Sequence, residues 1–371
     1  MKIGTDQYNT FDTMTMDCWN DRVYYEGKEF PAGHFAAEIL NFAGVIHDPL
    51  LERITVLTAL VDDLSTAEKS KRHDIAAQLK PLLHDTVSWL YTCPPFCYCE
   101  EQRAYEALEH ALSEERLDRD YEEREEHLPF MALSFCEPIL RILVAIYNFC
   151  LLIRAFEKKY LRGSKRRNAD AFAKAAHECF DEDDSFLILL EQMPFGGVEE
   201  FFSYPRVITG FKYFQDENNA EKWKTAQRVI CRRAIDFYVF DLMNGLHHGH
   251  APSQCQGCGR YFLTTNGHIP KYCDGVAPQD SRYTCRQYGA MMHQKEQNKQ
   301  HPVYRLFNTR TDTIRKHHQR GKISDDLRRE ALYLAGSYRD KALMDNDYAA
   351  DGYARDMELE HIYAEAEKRL K

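Results

Sequence analysis

Four cysteines in the carboxy-terminal third of the chain constrain its fold more than any other feature. They follow the pattern Cys-x2-Cys-x14-Cys-x11-Cys, at Cys255, Cys258, Cys273 and Cys285. The first two form a knuckle that ends in Gly259, where the chain must turn sharply and let backbone amides face sulfur. Four thiolates without an open coordination position favour a closed, structural Zn site over a hydrolytic one.

Other interpretations of this spacing stay open. The same four thiolates would also suit Fe, although Zn is the more common occupant. His268 or His293 could replace one cysteine as a ligand. Four unrelated buried thiols are a further alternative, but a knuckle, its glycine and two more cysteines within thirty-one residues argue against it.

The last cysteine of the pattern is expected at the start of a helix. Thr284 is a suitable N-cap residue, because its hydroxyl can accept a hydrogen bond from an amide of the first turn. A thiolate at Cys285 would then be stabilised by the amide dipoles of that turn. We therefore expect a helix over residues 286–297 directly after the fourth ligand.

The composition is that of a folded protein. The chain has 371 residues, of which 44% are hydrophobic and 29% charged, which leaves room for two or three domains of roughly 150 residues. Its net charge of −10 argues against a surface covered in phosphate-binding charge, but not against a local basic site. The first residues lack the apolar stretch of a signal peptide, so we expect a cytoplasmic protein whose cysteines stay reduced.

The most apolar run, residues 139–156, is predicted to be a buried helix. Arg141 and Arg154 bracket only twelve residues within it, or about 18 Å of helix, against roughly 30 Å of bilayer hydrocarbon. We therefore expect no membrane partner.

Hydrophobic periodicity predicts a mostly α fold. Helices are expected from Asp48-Pro49 onwards, over residues 66–91, over the acidic segment 100–127 and over residues 222–246. The apolar segment 138–161 should lie at the centre of the bundle. Residues 201–214, which are rich in aromatic and β-branched side chains, suggest short strands or an irregular connection.

Charge divides the chain into three expected parts. Residues 1–250 carry a net charge of −14 and form a helical domain of unknown role. Residues 251–290 form the four-cysteine module, which is expected to be zinc-ribbon-like or treble-clef-like. Residues 291–371 form a helical tail that is first basic and then mixed in charge, and the segment 251–329 alone carries +8.

Positive charge is densest in and directly after the module. The candidate nucleic-acid-binding residues are Arg286, Lys295, Lys299, Arg305, Arg310, Arg315, Lys316, Arg320 and Lys322. Basic helices beside a zinc module are typical of proteins that contact DNA or RNA phosphates. The alternative is a solvated helix end, where positive charge is favourable without any ligand.

The cysteine block resembles a known family. The residues that carry the resemblance are Cys255-x-x-Cys258-Gly259-Arg260-Tyr261-Phe262, Tyr272-Cys273-Asp274 and Thr284-Cys285-Arg286-x-x-Gly289-Ala290. They are similar to an uncharacterised bacterial family common in Firmicutes, domain-of-unknown-function family 6076. The resemblance covers about residues 225–345 and implies a zinc-binding protein without an established activity.

A looser similarity is to the CGNR-type zinc fingers, in which a four-cysteine module closes a helical domain and is thought to bind DNA. Here the last cysteine is followed by Arg286-Gln287-Tyr288-Gly289 and not by Gly-Asn-Arg. This departure weakens the implied DNA binding.

Other candidate groups are less specific. Cys93, Cys97 and Cys99 could form a second metal or redox site, but their spacing is more typical of packing thiols near a proline turn. The cluster His247-His248-Gly249-His250 is better explained as a helix end with a glycine cap.

Three classes of function remain. The chain contains no P-loop, no Gly-x-Ser-x-Gly elbow, no His-Glu-x-x-His and no dinucleotide fingerprint. The sequence therefore favours a non-enzymatic zinc protein that binds nucleic acid. A protein–protein adaptor with a structural zinc site is the first alternative, and an enzyme with dispersed catalytic residues is the second.

Overall fold

The structure is a computed structural model that describes residues 13–45, 47–118, 130–164, 166–191, 205–216, 219–265 and 271–370. The chain divides into two compact units, Met1–Cys273 and Asp274–Lys371. Helix is the dominant structure of the described residues, which confirms the predicted mostly α class.

Fourteen α-helices lie in the described residues. In chain order they are α1 His34–Val45, α2 His47–Thr66, α3 Lys69–Leu90, α4 Gln102–Ala111, α5 Glu114–Leu117, α6 Phe130–Phe156, α7 Ala169–Phe180, α8 Asp184–Glu191, α9 Ala234–His247, α10 Cys285–Gln300, α11 Pro302–Gln319, α12 Asp325–Met344, α13 Tyr353–Asp356 and α14 Leu359–Leu370. Short π-helical turns at Glu157–Leu161 and Tyr348–Gly352 adjoin α6 and α13. The predicted helices near residues 48 and 66–91 correspond to α2 and α3. The predicted acidic helix 100–127 is wrong as a single helix, because α4 ends at Ala111, α5 covers only Glu114–Leu117, and residues 119–129 lie outside the described residues.

Helix α6 forms the centre of the first unit. It packs against α1, α2 and α9, and its side chains Leu143, Phe149 and Phe156 are fully buried. The predicted central position of segment 138–161 is therefore confirmed. By length and apolar composition Ala132–Leu161 is also the one described helix that could cross a membrane, but 67% of its most apolar window is buried inside the protein, as in the core helix of a folded domain.

A five-stranded antiparallel sheet completes the first unit. Its strands are β1 Met14–Trp19, β2 Arg22–Tyr25, β3 Lys28–Pro31, β4 Val207–Asp216 and β5 Asn219–Cys231, in the order β3-β2-β1-β5-β4. The suggested strand within residues 201–214 is confirmed from Val207 onwards, whereas residues 201–204 lie outside the described residues. The predicted helix 222–246 is wrong in its first half, because β5 is held by strand pairing on both of its edges and α9 begins only at Ala234.

Two contacts between α1 and α9 position the elements that lead into the cysteine module. The carboxylate of Asp241 accepts hydrogen bonds from the backbone N–H groups of Gly33 and Ala36, both at 2.9 Å, and so caps the start of α1. At Gly245 the two backbones approach so closely that a Cβ atom would lie 2.8 Å from the Gly33 Cα. Farther along α1, Asn41 exchanges two hydrogen bonds, of 2.9 and 2.7 Å, with the backbone of Tyr261. These bonds attach the module's first hairpin to the helical core.

The second unit has a hydrophobic core of its own. It contains the short hairpin of β8 Val276–Ala277 and β9 Asp280–Thr284, followed by α10 to α14. Its buried side chains come from α11 to α14 and include Val303, Ile314, Leu334, Met357 and Ile362. The expected helical tail is thus a packed bundle.

Candidate metal centre

The first two cysteines lie in the loop of a hairpin. Strands β6 Ala251–Gln254 and β7 Tyr261–Thr264 pair in antiparallel fashion, and the last pair, Gln254 with Tyr261, closes the loop. Within the loop Cys255 N–H donates to the Arg260 carbonyl at 2.8 Å, and Gly259 N–H donates to the Cys255 carbonyl at 2.9 Å. Gly259 has a φ of +76°, a conformation that glycine adopts without strain. The knuckle and its glycine therefore fold as the sequence predicts.

The third cysteine is placed beside the first by backbone contacts. Gln256 N–H donates to the Lys271 carbonyl at 2.9 Å, and Cys273 N–H donates to the Cys255 Sγ at 3.3 Å. Gly257 N–H points to the same sulfur at 3.4 Å. Amide donors directed at sulfur favour the thiolate, which is the form that binds metal.

The fourth cysteine begins α10, as predicted. Thr284 caps this helix: its Oγ1 accepts from Gln287 N–H at 3.2 Å, while the Gln287 Oε1 accepts from Thr284 N–H at 3.0 Å. This reciprocal pair is a capping box. Cys285 N–H also donates to the Gly275 carbonyl at 2.7 Å. Two ligands in a hairpin loop and one in the first turn of a helix agree with the predicted treble-clef-like module.

The four cysteines converge on one point. Their Sγ atoms all lie within 4.8 Å of one another, and those of Cys258 and Cys273 are 3.6 Å apart. Four sulfurs around one tetrahedral ion, each about 2.3 Å from it, would be separated by about 3.8 Å, whereas a disulfide needs about 2.05 Å. All four are free thiols, and the arrangement fits a single metal ion.

The acidity of the Cys255 thiol distinguishes it from the packing cysteines. Burial raises the pKa of Cys255, but the backbone N–H groups of Cys273, Cys258 and Gly257 outweigh this effect and lower the pKa from 9.0 to about 7. At Cys93 burial dominates and raises the pKa to about 12. A buried thiol that favours its anion suits a metal ligand, whereas a buried neutral thiol suits packing.

The histidine alternatives can be compared with this geometry. His293 is exposed on α10 and is not among the four clustered ligands. His268 lies outside the described residues. Cysteine therefore supplies all four ligand atoms of the observed cluster.

The remaining sequence candidates gather no second cluster in the described part of the chain. Cys93 is buried and its Sγ contacts the Trp89 carbonyl at 3.5 Å, while Cys97 is exposed. Cys99 shares a hydrogen bond of 3.3 Å with the Tyr25 hydroxyl. At the end of α9, Gly249 has a φ of +80°, and the chain leaves the helix there as the glycine-cap interpretation predicts.

The basic candidates occupy three kinds of position. Lys295, Arg305, Lys316, Arg320 and Lys322 are exposed and have no acidic partner within hydrogen-bonding range among the described residues. Arg286 and Arg315 are exposed but paired, with Asp274 at 3.0 Å and Asp312 at 3.1 Å.

Two further basic candidates do not join the exposed set. Arg310 is half-buried on the side of α11 that also carries Val303 and Ile314, and its Nε atom is buried without a hydrogen-bond partner. The side chain of Lys299 lies outside the described side chains. The helical period of three to four residues from Val303 to Ile314 passes through Arg310 and would have indicated its inward position.

Sequence reasoning missed a cavity of about 720 Å³ on the face of the five-stranded sheet that lies opposite the helices. At its floor the buried carboxylate of Asp17 accepts hydrogen bonds from Arg228, at 2.7 and 3.0 Å, and from Lys212 at 2.8 Å. Lys224 lies over the ring of Trp19 at 4.2 Å. These contacts pair the cavity's basic groups with its own acid and aromatic side chains. No local sequence motif predicts the cavity, because β1 and β5 lie about two hundred residues apart in sequence.

Comparison with known proteins extends the resemblance found in the sequence. The model of a family of unknown function, DUF6076, matches residues 203–369, which include β4, β5, the cysteine cluster and the helices of the second unit. No curated protein and no solved structure matches the chain. Residues 203–369 thus carry the DUF6076 pattern, and the four-cysteine cluster lies inside it.

Proposed function

We propose that this chain holds one structural Zn ion in its four-cysteine centre and binds nucleic acid through the basic helices α10 and α11. The observation that carries the proposal is the set of five exposed basic side chains that lack acidic partners among the described residues: Lys295, Arg305, Lys316, Arg320 and Lys322. Charges left unpaired on adjacent helices attract a polyanion, and phosphate contacts supply most of the affinity of non-specific nucleic-acid binding.

Zinc is proposed because four thiolates form a closed site that leaves no position for substrate. Binding of Zn to such sites provides on the order of 10 kcal/mol, which is available to fold the surrounding segment. In this role the ion holds Cys285 and so stabilises the first turn of α10.

The metal assignment predicts one Zn per chain in the wild-type protein, as measured by mass spectrometry after purification without added metal. Cys258→Ser should lose most of the bound metal, because one of four ligands is removed. Cys97→Ser is the matched control, since Cys97 is an exposed thiol outside the cluster. Iron in place of Zn, or equal metal content in both variants, would contradict the assignment.

The nucleic-acid assignment is tested by binding to mixed DNA and RNA at several salt concentrations. We expect the affinity to fall steeply between about 50 and 200 mM salt, because each phosphate contact releases bound counterions. Lys316→Glu with Arg320→Glu should weaken nucleic-acid binding by about tenfold or more and make the affinity less dependent on salt concentration.

The control is an equal charge reversal elsewhere, Arg103→Glu with Lys174→Glu, two exposed residues of α4 and α7. It changes the net charge by the same amount and should leave binding nearly unchanged. Binding that ignores salt and both pairs of substitutions would rule out the proposed surface.

A further inference from the structure

The cavity on the face of the five-stranded sheet opposite the helices is large enough for a small molecule. Its volume of about 720 Å³ lies within the range of roughly 300–1,000 Å³ that is typical of ligand pockets. All five strands contribute to its lining, from Glu29 on β3 to Lys212 on β4. The described lining residues include none of the four clustered cysteines and none from the basic helices α10 and α11. Binding in this cavity would therefore be separate from the binding of Zn and of nucleic acid.

Two cations converge on one carboxylate at the floor of the cavity. Arg228 binds both oxygens of Asp17 through its Nε and Nη2 atoms, and the Lys212 Nζ donates one hydrogen bond to the same carboxylate. A guanidinium group has five N–H donors and an ammonium group has three. The Nη1 atom of Arg228 and two N–H bonds of Lys212 thus have no acceptor among the described residues. The two side chains are 39% and 45% exposed, so these donors can reach a ligand.

The floor therefore has one positive charge in excess. The Asp17 side chain, only 9% exposed, neutralises one of its two cations and holds both of them in position. Donors that are oriented before a ligand arrives cost little further ordering on binding. A second carboxylate is a suitable ligand for these donors, because its hydrogen bonds to Arg and Lys are charge-assisted. A single excess charge also matches a monoanion better than a phosphate dianion.

The walls of the cavity carry three aromatic rings, those of Trp19, Tyr24 and Phe214. Tyr24 lies on β2 and Phe214 on β4, with β1 and β5 between them in the sheet, yet their ring centroids are 5.8 Å apart. The two side chains therefore extend across the strands between them and form one wall of the cavity. Aromatic walls favour a ligand that itself contains a ring.

The other end of the cavity is acidic. Asp21, Glu26 and Glu29 lie on β3 and in the turns beside β2, at the edge of the sheet opposite β4. Arg22, the one basic residue among the described lining residues at this end, lies 3.8 Å from Asp21 and 3.6 Å from Glu29. One cation against three carboxylates leaves negative charge in excess, which favours an ammonium group over an anion.

We propose that the cavity binds a small zwitterion with an aromatic ring, which is the chemistry of a free aromatic amino acid or of a short peptide that contains one. The ligand's carboxylate accepts hydrogen bonds from Arg228 and Lys212, and its ring packs among the three aromatic side chains. Its ammonium group lies at the acidic end. The ligand has no net charge, and the described lining residues are likewise balanced, with four basic and four acidic side chains.

Isothermal titration calorimetry of the full wild-type chain tests this assignment with four probes. L-Phenylalanine carries all three groups, and we expect it to bind. Phenethylamine lacks the carboxylate, 3-phenylpropionate lacks the ammonium group, and L-alanine lacks the ring. Each of these three probes should bind more weakly than L-phenylalanine by about tenfold or more, because each loses one set of contacts.

A second test removes one cation from the floor. Lys212→Met keeps the apolar part of the side chain but removes the excess charge, so it should weaken the binding of L-phenylalanine by about tenfold. The variant should not weaken the binding of phenethylamine, which has no carboxylate to lose a partner. Lys174→Met, at a lysine of α7 that is 76% exposed, is the matched control and should bind L-phenylalanine as the wild type does. Thermal melting of both variants checks that the fold is intact.

Glycyl-L-phenylalanine distinguishes the two sources of the ligand. Tighter binding of this dipeptide than of L-phenylalanine would assign the cavity to short peptides, and any other order of affinities would assign it to the free amino acid. Absence of binding by both probes would overturn the proposal. Equal affinities for L-phenylalanine and 3-phenylpropionate would also overturn it, as would a folded Lys212→Met protein that binds L-phenylalanine as tightly as the wild type.

Discussion

At the scale of single residues, the buried carboxylate of Asp17 shows how strand pairing fixes a charge. Burial alone would raise the pKa of Asp17, but hydrogen bonds from Arg228 and Lys212 outweigh that effect and hold the pKa below its usual value of 3.8. A group with a lowered pKa in the folded state stabilises the fold above its unfolded pKa. That contribution is lost as the pH falls from about 4 through the folded value.

Asp17→Asn is therefore expected to reduce the free energy of unfolding at pH 7 by about 1–2 kcal/mol, since both partners remain partly solvated. The variant should also lose less stability than the wild type between pH 4 and the acid limit. Urea denaturation at several pH values measures both effects. Asp340→Asn, at an exposed pair with Arg339, is the control. It should change neither the free energy of unfolding at pH 7 nor its dependence on pH. An equal loss of stability in the two variants would contradict the role of burial.

Gly245 is a second residue whose importance depends on its surroundings. A Cβ at this position would lie 2.8 Å from the Gly33 Cα and 3.1 Å from the Ala32 carbonyl oxygen, and neither backbone atom can move independently of the sheet and α1. Gly245→Ala should therefore destabilise the protein by about 1–3 kcal/mol, despite the better helix propensity of alanine.

Gly336 provides the matched comparison, because it lies inside α12 and has no atom within 4 Å of its Cβ position. Gly336→Ala should be neutral or stabilise the protein by up to about 1 kcal/mol. Thermal melting of the two variants measures the difference. A stabilised Gly245→Ala protein would show that α1 and α9 do not approach as closely as the structure has them.

At the scale of elements, the capping box of α10 couples helix formation to ligand placement. Thr284→Ala removes the acceptor for Gln287 N–H and should cost about 1 kcal/mol of local stability. Because Cys285 follows directly, we expect metal affinity to fall by roughly fivefold, since 1.4 kcal/mol corresponds to a factor of ten.

Ser324→Ala is the control for this prediction. Ser324 caps α12 by accepting from Leu327 N–H at 3.2 Å, and α12 carries none of the four ligands. Competition with a chromogenic chelator measures both variants. Equal metal affinities for the two would mean that the first turn of α10 forms independently of its cap.

The elements also show what could be read from the sequence. The cysteine centre was predictable, because a knuckle, its glycine and the Thr284 cap are local signals. The same holds for α6, whose residues are apolar on nearly every side. Strand β5 was not predictable in this way, because its position depends on pairing with β1. The apolar and polar residues that alternate from Trp223 to Cys231 also fit a helical period that continues into α9.

At the scale of the whole molecule, the sheet explains why the cavity escaped prediction. The cavity depends on strands from opposite ends of the first unit, Met14–Trp19 and Asn219–Cys231. The DUF6076 match begins at residue 203, so it contains β4 and β5 but not the strand that lies beside β5. Residues 203–369 expressed alone would leave the edge of β5 from Gln227 to Cys231 without β1, and experiments on this chain require its full length.

The pairing of β1 with β5 also sets an order of events on the ribosome. Residues 14–31 are synthesised first, yet the strand that completes their sheet emerges about two hundred residues later. At 5–20 residues per second, the hairpins of β1, β2 and β3 wait roughly 10–40 s for their partner. During that interval the apolar face of β1, which includes Met14, Met16 and Cys18, is available to chaperones and to neighbouring nascent chains. Synonymous codons that slow translation between these two segments would lengthen this exposure and lower the yield of soluble protein without altering a single residue.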